Sequence, residues 1–455
     1  MKRQNAAVRA KCSPDLLSLP VSERIVLKPV KDLKPWERNA RLHSPKQIAQ
    51  LAQSIASFGF SVPIVIDENN RVLAGNGRLS AAEHLGLSTV PCIALQHLSE
   101  VQKRAFILAD NKIALNAGWD EELLALELKE ILTLDETFDL EVTGFSIAET
   151  DQLIDGLSVE EPDNPEDDAL PAHLDGPPIT RSGDLWQLGT HRLLCGDARS
   201  TDCCSVLMQG EKAQMILTDP PYNVPVSGHV SGLGKLKHRE FAMASGEMSQ
   251  AEFTAFLTRI FRNLVAHSEN GSIHFVFNDW RHMSEMLEAG SSTYTELKNL
   301  IVWVKTNAGM GTFYRSKHEL LFAFKNGDAP HINSFELGQK GRYRTNVWNY
   351  RGMNAFGCNR DAELALHPTV KPVSLLSDAI KDVSRRSGIV LDVFGGSGSA
   401  LIAAHKTGRR ARIMEIDPLY CDRIIRRWQA YAKDDATLVS TGEPFSTARK
   451  TEAGK

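Results

Sequence analysis

The amino-acid sequence predicts an α/β protein with an open, mostly parallel sheet in its C-terminal part and a smaller α+β domain near its N-terminus. A short apolar strand ends at Asp219, a strand from Ile389 ends at Asp392, and a third strand from Ala411 ends at Glu415. Helices are predicted after the second and third of these strands, and such alternation is typical of a parallel sheet. The N-terminal part instead combines a helix with a β-hairpin, which indicates a small α+β domain.

Length and composition place the chain among globular proteins with two or three domains. It has 455 residues, of which 42% are hydrophobic and 24% charged, so a sizeable core can form. The formal net charge of −4 means that nucleic-acid binding must depend on local basic patches. The 7 cysteines form no Cys-x-x-Cys pair, which favours a reducing cytosol and argues against a zinc site. No apolar run is long enough to cross a membrane, so we expect a cytoplasmic protein without a metal.

The domain order follows from changes in composition along the chain. Between residues 158 and 178 acids and prolines dominate and no lysine or arginine occurs, so this stretch cannot build a core and is predicted to be a solvated linker. DNA mimicry by these acids is a weaker alternative. The predicted order is a flexible basic tail (1–22), the small α+β domain (23–97), a helical annex that packs and spaces (98–157), the acidic linker (158–180), the large α/β domain (181–436) and a C-terminal tail (437–455).

A loop in the small domain is the first candidate binding site. Ser44 and the proline after it are expected to begin a helix, and a hairpin over residues 63–74 leads through Gly75, Gly77 and Arg78 into the next helix. Small residues and an arginine at a helix N-terminus can bind phosphate or another anion. On these residues alone, a tight turn with a solvent-facing arginine is the favoured alternative.

The large domain contains a series of predicted strands and helices. His318-Glu319 begins one of the strands and could be a catalytic pair or a metal site, but it lacks the HExxH spacing, so a structural role is favoured. The predicted strands are 184–188, 191–198, 272–277, 300–305 and 318–324, and the predicted helices are 203–208 and 250–267.

A segment rich in arginine and aromatic residues, 326–366, is the candidate DNA-contact region. Basic and aromatic side chains mixed in an irregular segment suit contacts with phosphates and unstacked bases. A surface loop held in place by its aromatic residues is the alternative. The residues expected to contact DNA are Lys340, Arg342, Arg344 and Arg351.

The stretch from Asp219 to Tyr222, with Pro220 and Pro221 between them, is the first of two motifs that carry chemistry. Two consecutive prolines cannot continue a sheet ladder, so a carboxylate and an aromatic ring are held on a stiff turn. The carboxylate and a proline carbonyl can accept hydrogen bonds from an amine, and the tyrosine can stack on a flat ring. A Pro-Pro turn with a capping acid is the alternative for this motif alone.

The second motif is a strand that ends at Asp392 and a glycine turn, Phe394-Gly395-Gly396-Ser397-Gly398, that enters a helix. Glycines let the backbone approach a ligand closely, and an acid at the end of the next strand, Glu415, can bind ribose hydroxyls. The dinucleotide fingerprint Gly-x-Gly-x-x-Gly is not met, so NAD is disfavoured. Both motifs follow strand ends, and open α/β sheets bind ligands at that edge. We therefore expect an amine-bearing ring and a nucleoside-like cofactor at one site.

Residues from about 181 to 433 resemble the amino-methylating DNA methyltransferases. The resemblance rests on TDPPYN, LDVFGGSGSALIAAHKTGRR, MEIDPLYCDRIIRRW, HPTVKP and WVKTNAGMGTFYRSKHELLFAFKNG. The catalytic motif precedes the cofactor motif, which is the order of the β class. The resemblance implies a Rossmann-like fold with a mixed, mostly parallel sheet, S-adenosylmethionine as cofactor and double-stranded DNA as substrate.

The resemblance also implies roles for individual residues. Asp219 to Tyr222 would form the catalytic site. The glycine turn would line the cofactor, Glu415 would bind its ribose, and Asp197 would bind its adenine end. The methionine carboxylate would lie near Thr369 and Lys371, because a cation favours an anion beside it.

The implied reaction is direct methyl transfer to the exocyclic amine of a base flipped out of the duplex, which costs a few kcal/mol of unstacking. Positioning and electrostatic stabilisation would supply much of the catalysis. Adenine N6 is favoured over cytosine N4, because the cytosine enzymes usually carry Ser where Asp219 stands. An N4-cytosine methyltransferase and a ParB-type DNA-binding regulator with a silent methylase domain are the alternatives. A nuclease–methylase fusion is disfavoured because no metal-binding cluster is evident in the sequence.

Residues from about 26 to 95 resemble the ParB/sulfiredoxin-like domain, on PVKDLKPWERNAR, IASFGFSVPIVIDENNRVLAGNGR and AAEHLGLSTVPCIAL. The resemblance implies that the loop from Gly75 to Arg78 binds nucleotide phosphate or contacts DNA. Leu79 stands where partition proteins usually carry a second arginine, which argues against CTP hydrolysis of the ParB type. The pairing of the two domains is typical of phage and prophage genes, and a homodimer is a further expectation.

Overall fold

A computed structural model describes residues 25–136, 138–157, 164–171, 177–224, 246–306, 313–335, 344–352 and 370–448. These form two compact units, Met1–Leu128 with Asp139–Ser146, and Lys129–Phe138 with Ile147–Lys455. The helices described are α1 Pro45–Phe58, α2 Asn76–His84, α3 Glu100–Ala114, α4 Glu121–Leu134, α5 Ile147–Asp155, α6 Thr201–Met208, α7 Gln250–Ala266, α8 Met283–Ser291, α9 Val373–Val383, α10 Ser399–Lys406 and α11 Pro418–Ala432. No described helix is long and apolar enough to span a bilayer.

The first unit contains a four-stranded sheet with α1 and α2 packed together beside it. The strands are β1 Ile25–Pro29, β2 Ile64–Ile66, β3 Val72–Ala74 and β4 Thr89–Ala94, in the order β1-β4-β2-β3. Ser44 caps α1 by accepting a hydrogen bond from the Gln47 amide at 3.2 Å, and Pro45 is its first residue. The predicted hairpin and the predicted α1 start are therefore confirmed.

Helix α2 begins earlier than the sequence predicts. Leu79 was the expected first helical residue, whereas the helix starts at Asn76 after Gly75, whose φ is +101°. Glycine adopts this left-handed conformation without steric cost, so it can turn the chain directly from β3 into the helix. Gly77 and Arg78 consequently lie in the first helical turn rather than in a loop.

The second unit is built on one mixed sheet, which confirms the predicted fold class. Its order is β11-β9-β10-β8-β7-β12-β13-β6-β5-β14. Strands β6, β13, β12, β7 and β8 run parallel to one another, and β5 and β10 pair antiparallel with the two outer strands of this group, β6 and β8. The strands are β5 Leu185–Leu188, β6 His191–Cys195, β7 Ala213–Thr218, β8 Ser268–Asn278, β9 Glu296–Val304, β10 His318–Lys325, β11 Val347–Asn349, β12 Ile389–Asp392, β13 Arg410–Glu415 and β14 Thr437–Leu438.

Helices cover both faces of this sheet and bury two hydrophobic cores. Helices α9, α10 and α11 contribute to one core, which contains Trp428 and Ile380. Helices α6, α7 and α8 contribute to the other, which contains Phe253 and Met286. With both faces buried, the central strands are apolar almost throughout. Polar groups can therefore reach a cavity chiefly at the strand ends.

The prediction of a solvated linker is wrong for the described part of the acidic stretch. Residues Pro165–Asp168 form a 3-10 helix, and Asp167 is buried. Lys406 forms an ion pair with the Asp167 carboxylate, and the Val373 amide donates to Asp168 Oδ1 at 2.8 Å. An acidic segment that cannot build a core of its own can still be ordered when its carboxylates form ion pairs with cations, and hydrogen bonds with backbone amides, of a folded domain.

The prediction of a C-terminal tail from residue 437 is also wrong for residues 437–448. Strand β14 pairs antiparallel with β5, and Phe445 and Ala448 are buried in the first of the two cores. The rings of Phe445 and Trp186 are in edge contact with centroids 5.3 Å apart. Phe445 is the one aromatic residue that the sequence has in this stretch. It packs against core residues, such as Trp186, that are distant from it in the sequence.

Candidate active site

The first motif lies at the end of β7, where the sequence predicted it. The chain leaves the sheet after Thr218, and the turn holds Asp219 and Tyr222 so that the tyrosine hydroxyl donates to Asp219 Oδ1 at 2.5 Å. Asn223 then adopts a φ of +52° and fixes the end of the turn. Its side chain accepts hydrogen bonds from the Gly246 and Met248 amides at 3.1 and 3.2 Å.

Two lysines and a second carboxylate join Asp219. The Lys371 ammonium donates to Asp219 Oδ2, and it lies 3.2 Å from Glu319 Oε2. Lys305 binds the other oxygen of Glu319. The Lys371 side chain is 5% exposed, so its charge depends on these partners rather than on water. Strand β10 supplies Glu319, Lys305 directly follows β9, and the segment before α9 supplies Lys371.

The pKa values in this group reflect burial set against opposite charges. Burial raises the pKa of Asp219, the Lys371 ammonium opposes this, and the Glu319 charge adds to it. Burial would also raise the pKa of Glu319, but Lys371 and Lys305 hold it down at about 2. Burial and the neighbouring carboxylates raise the pKa of Tyr222 well above its usual value. The tyrosine is thus a neutral donor and Glu319 is an anion.

Two carboxylates fix the backbone of the glycine turn in the second motif by accepting hydrogen bonds from its amides. Asp392 accepts hydrogen bonds from the Thr218 hydroxyl at 2.7 Å and the Phe394 amide at 3.0 Å, which ties the two motifs together. Glu415 accepts from the Gly396 amide at 2.8 Å and, through its other oxygen, from the Asp417 amide at 2.9 Å. Each carboxylate therefore organises backbone of the turn as well as facing the site.

Glycine is required at Gly395 because a side chain there would collide with the core. A Cβ would lie 2.6 Å from Ile413 Cγ2 and 3.0 Å from Ile424 Cδ1. Burial raises the pKa of Asp392 to about 7 and that of Glu415 to about 7. Hydrogen bonds to a carboxylate favour its ionised form, so both acids can respond to a ligand that donates to them.

One cavity joins the two motifs. It has apolar walls that include Phe277 and Leu376, and polar groups concentrated at the strand ends. The lining residues of the predicted site are Asp219, Pro220, Pro221, Tyr222, Lys371, Asp392, Phe394, Gly395, Gly396, Ser397 and Glu415. The tertiary structure therefore brings together residues that are up to 196 positions apart, from Asp219 to Glu415.

Asp197 is placed differently from the expectation. Its neighbours Gly196 and Ala198 line the cavity, whereas the Asp197 carboxylate accepts hydrogen bonds from the Arg199 guanidinium at 2.8 and 3.0 Å. Gly398 is not among the residues that line the cavity; it has a φ of +81° and precedes α10 as its cap. Thr369 lies outside the described residues.

The four residues expected to contact DNA differ in their surroundings. Lys340 and Arg342 lie outside the described residues, and Arg351 is exposed. Arg344 donates to Asp382 at 2.9 Å and to the Tyr350 hydroxyl at 2.8 Å, and it packs over the Trp348 ring at 4.5 Å. The alternative interpretation, a loop held by aromatic residues, therefore applies at Arg344.

The small domain contains a carboxylate cluster that the sequence did not reveal. Asp67, Glu68 and Glu100 have oxygens within 4.8 Å of one another, a grouping that could hold a metal ion. The sequence shows no such cluster, because Glu100 on α3 lies 32 residues after Glu68 in the turn that follows β2. The absence of a metal stays a prediction. Arg71 and Lys103 already form ion pairs with these acids. These two cations offset two of the three negative charges of the cluster.

Glu319 and Arg427 are further candidate functional residues; the sequence favours a structural role for the first and gives no signal for the second. Glu319 was considered with His318 and assigned a structural role, yet it forms part of the Asp219 group. Arg427 donates to the Ser397 carbonyl and to the Asp167 carbonyl, both at 2.9 Å. The pairing of β9 with β10 places Glu319 opposite Trp303, which is two residues before Lys305. Predicting that the two strands pair would have indicated that Glu319 and Lys305 lie close together.

A doubly covered mixed sheet with a glycine turn, a buried acid at the end of the next strand and an Asp-Pro-Pro-Tyr motif in one cavity is the arrangement expected of an S-adenosylmethionine-dependent methyltransferase. Sequence comparison is consistent with this class. Residues 213–426 match the DNA methylase family, residues 19–112 the ParB N-terminal domain, and residues 122–182 the ParB-methyltransferase HTH domain. The chain thus contains an N6/N4 DNA methylase domain, and a ParB-like domain lies ahead of it. The HTH match spans much of the predicted annex and linker.

Individual relatives match one domain or the other. The ParB-like nuclease domain-containing protein YnaK of Escherichia coli (strain K12) is 46% identical over 81 residues, covering 18% of this chain and 93% of that protein. The type II methyltransferase M2.DpnII of Streptococcus pneumoniae is 26% identical over 45% of this chain and 77% of its own length. M2.MboI of Moraxella bovis is 24% identical over 43% and 72%.

Solved structures also align with parts of the chain. M1.HpyAVI aligns with a TM-score of 0.37 and 17% identity over 52% of this chain and 96% of that chain. A putative DNA modification methylase of Thermus thermophilus, TTHA0409, complexed with S-adenosyl-L-methionine, aligns with a TM-score of 0.37 and 20% identity over 53% and 93%.

Proposed function

We propose that this DNA methyltransferase transfers the methyl group of S-adenosylmethionine to the exocyclic N6 of a flipped-out adenine in double-stranded DNA. The observation that carries the proposal is the single cavity lined by Asp219 and Tyr222 on one side and by the glycine turn and Glu415 on the other. An amine acceptor and a nucleoside-binding acid then face one enclosed space. The carboxylate at position 219, where the resemblance leads us to expect serine in cytosine enzymes, favours adenine.

Cofactor binding would use the residues around the glycine turn. Glu415 offers a buried carboxylate to ribose hydroxyls, Gly395 and Gly396 leave room above the core, and Lys371 offers a buried cation near the methionine end. These groups fit a cationic nucleoside with a carboxylate tail. When bound, S-adenosylmethionine supplies an electrophilic methyl group.

The chain's own residues would activate and position the amine. Asp219 and the Pro220 carbonyl would accept both amine hydrogens, which concentrates the nitrogen lone pair for attack, and Tyr222 would support the ring. The apolar walls lower the local polarity, so these hydrogen bonds are stronger than they would be in bulk solvent. Asp219 would also receive the proton that the methylated nitrogen releases, because burial raises the pKa of that carboxyl.

The N-terminal part is proposed to bind DNA or a nucleotide. Arg78 is partly buried in the first turn of α2, and burial lowers the pKa of its guanidinium. Its Nε is buried and has no hydrogen-bond partner among the described residues, which leaves a donor for an anion if the guanidinium turns outward. The match to an HTH domain over residues 122–182 supports a DNA contact from that segment. Homodimer formation and a phage or prophage origin stay predictions.

The experiment is methyl transfer from labelled S-adenosylmethionine to mixed-sequence unmethylated DNA, followed by digestion and identification of the nucleosides. We expect N6-methyladenine with the wild-type protein and a loss of at least about 100-fold in Asp219→Ala, because one charged hydrogen-bond partner is worth about 3 kcal/mol in a transition state. Cofactor affinity in the variant should remain near that of the wild type.

The control is Asp184→Ala, which removes an acid of the same domain that lies outside the cavity lining. N4-methylcytosine as the product would contradict the choice of base and leave the class of reaction in place. Equal activity of the Asp219→Ala variant and the wild type would contradict the assigned catalytic residue.

A further inference from the structure

Both oxygens of the Asp219 carboxylate are occupied by side chains of the protein itself. The Tyr222 hydroxyl donates to Oδ1 at 2.5 Å, and the Lys371 ammonium donates to Oδ2. The inference developed from this contact rests on the proposed function, in which the same carboxylate accepts a hydrogen bond from the target amine. An ammonium in contact neutralises the charge that makes Asp219 a strong acceptor. Each Asp219 oxygen keeps a lone pair for a further donor, but the carboxylate becomes a stronger acceptor for the amine when Lys371 turns to another anion.

Glu319 is within reach of both groups that occupy Asp219. Its Oε2 lies 3.2 Å from Lys371 Nζ and 3.3 Å from the Tyr222 hydroxyl. Its Oε1 is bound by Lys305, so the side chain is held with Oε2 towards Asp219. The backbone of Glu319 is fixed in β10 by pairing with β9. One carboxylate oxygen can accept two hydrogen bonds, so Oε2 has capacity for both donors.

We propose that Glu319 is a positioning residue, which receives Lys371 and the Tyr222 hydroxyl when Asp219 turns to the target amine. The exchange moves hydrogen bonds and transfers no proton. Lys371 stays an ammonium, Glu319 stays a carboxylate, and Asp219 regains its full negative charge for the amine.

Burial explains why the protein needs this second acceptor. The Lys371 side chain is 5% exposed and that of Glu319 is 13% exposed, so an ammonium that left Asp219 would be unpaired away from water unless Glu319 or the methionine carboxylate of the proposed cofactor received it. Such an unpaired buried charge is strongly unfavourable. With Glu319 present, Lys371 is never without a partner, and the barrier to releasing Asp219 is low.

The charge state of Glu319 is consistent with this role. Burial alone would raise its pKa, but Lys371 and Lys305 hold the pKa at about 2. The residue is therefore ionised at neutral pH and is a poor proton acceptor. A general-base role would require a pKa closer to the working pH.

The test compares Glu319→Gln and Glu319→Asp with the wild type in the full chain. Glu285→Gln is the matched control, because Glu285 is a buried acid on α8 that pairs with His282, outside the cavity lining. The readouts are S-adenosylmethionine affinity by calorimetry, kcat and KM for unmethylated DNA, the pH dependence of kcat, and thermal melting.

We expect Glu319→Gln to keep its cofactor affinity and melting temperature while kcat falls about 100-fold, the lower end of the range for losing one electrostatic contribution. Glu319→Asp should recover part of that loss, because it keeps the charge. Glu285→Gln should behave as the wild type.

The pH profile separates positioning from a merely structural role. The groups that face Asp219 are Lys371, Tyr222, Glu319 and Asp392. The Glu319 charge raises the pKa of Asp219, so its removal in Glu319→Gln should move the acid limb of the kcat profile to lower pH. Loss of packing alone would lower kcat without moving the limb.

Each remaining outcome decides a separate question. A Glu319→Gln variant with wild-type kcat and pH profile overturns the inference, and so does one that loses cofactor affinity and activity in equal measure. If that variant does not fold, Lys305→Met releases Glu319 Oε1 without touching Asp219, and an unchanged kcat there overturns the inference as well. A wild-type protein that binds cofactor but methylates no DNA contradicts the proposed function instead.

Discussion

Single residues at the strand ends decide what the cavity can bind. Asp392 and Glu415 are buried acids whose pKa values are raised to about 7 by burial. Each is nonetheless hydrogen-bonded to backbone amides of the glycine turn. A carboxyl group held in this way is poised to ionise when a ligand supplies further donors, so protonation and cofactor binding should be linked.

Cofactor affinity should therefore depend on pH through Glu415. Ribose hydroxyls would favour the carboxylate, so below about pH 7 binding must first remove a proton, and affinity should rise up to about tenfold per pH unit until it levels off above pH 7. Calorimetry from about pH 5.5 to 8.5, which brackets that pKa, measures this slope. Glu415→Gln should flatten it, whereas Glu211→Gln, an ion-paired acid outside the cavity lining, should leave it unchanged. Equal slopes in Glu415→Gln and the wild type would exclude Glu415 as the linked group.

At the scale of elements, the acidic segment 164–168 acts as a brace behind the glycine turn. Arg427 on α11 donates to the carbonyl of Ser397 in the turn and to that of Asp167 in the segment. Asp168 in turn accepts from the first amide of α9, the helix that follows Lys371. The same short segment is thus connected both to the glycine turn, through Arg427, and to α9, which follows Lys371; both are proposed to hold the cofactor.

Arg427→Lys should weaken cofactor binding without unfolding the protein. Arginine serves two carbonyls at once through its planar fork, and lysine cannot span both. Burial lowers the pKa of Arg427 to about 10, so the residue is still charged at neutral pH, and losing one charged hydrogen bond costs about 1.5–3 kcal/mol, or at least about tenfold in affinity. Calorimetry checks this.

Arg426→Lys is the control for that variant, because it changes the neighbouring residue on the same helix, which pairs with Asp422. An Arg427→Lys variant with wild-type affinity for S-adenosylmethionine would show that the segment does not hold the turn. A fall in melting temperature as large in Arg426→Lys as in Arg427→Lys would point to a general effect on α11 instead.

At the scale of the whole molecule, the catalytic unit is completed by residues beyond its last helix. Strand β14 extends the sheet at its edge, and Phe445 returns to the core beside Trp186. Arg426 also packs over the Phe445 ring at 5.3 Å. The stretch predicted to be a tail is therefore part of the fold up to residue 448.

Phe445→Ala should destabilise the catalytic unit by about 3–5 kcal/mol, the usual cost of removing a buried aromatic ring. Urea unfolding measures the change in free energy. Phe313→Ala removes the same side chain from a position that is 85% exposed, and it should change the free energy of unfolding by less than about 0.5 kcal/mol. Similar small effects at both positions would mean that Phe445 does not stabilise the core.

The sequence by itself determined the fold class, the two motifs and the class of reaction. Each of these depends on short-range patterns: apolar strands that stop at an acid, prolines that leave a sheet, and glycines that admit a ligand. Such patterns can be recognised in the sequence because they follow from the backbone preferences of neighbouring residues.

Only the tertiary structure decided which distant charges meet. Glu319 joins Asp219 because β10 lies beside β8 and β9 in the sheet, and Arg427 meets Asp167 although 260 positions separate them. The acidic segment was predicted not to fold because its partners, Lys406 and Arg427, belong to other helices. A charge shows in the sequence only its sign, whereas its role depends on burial and on the opposite charge within a few ångströms, and both are products of the folded chain.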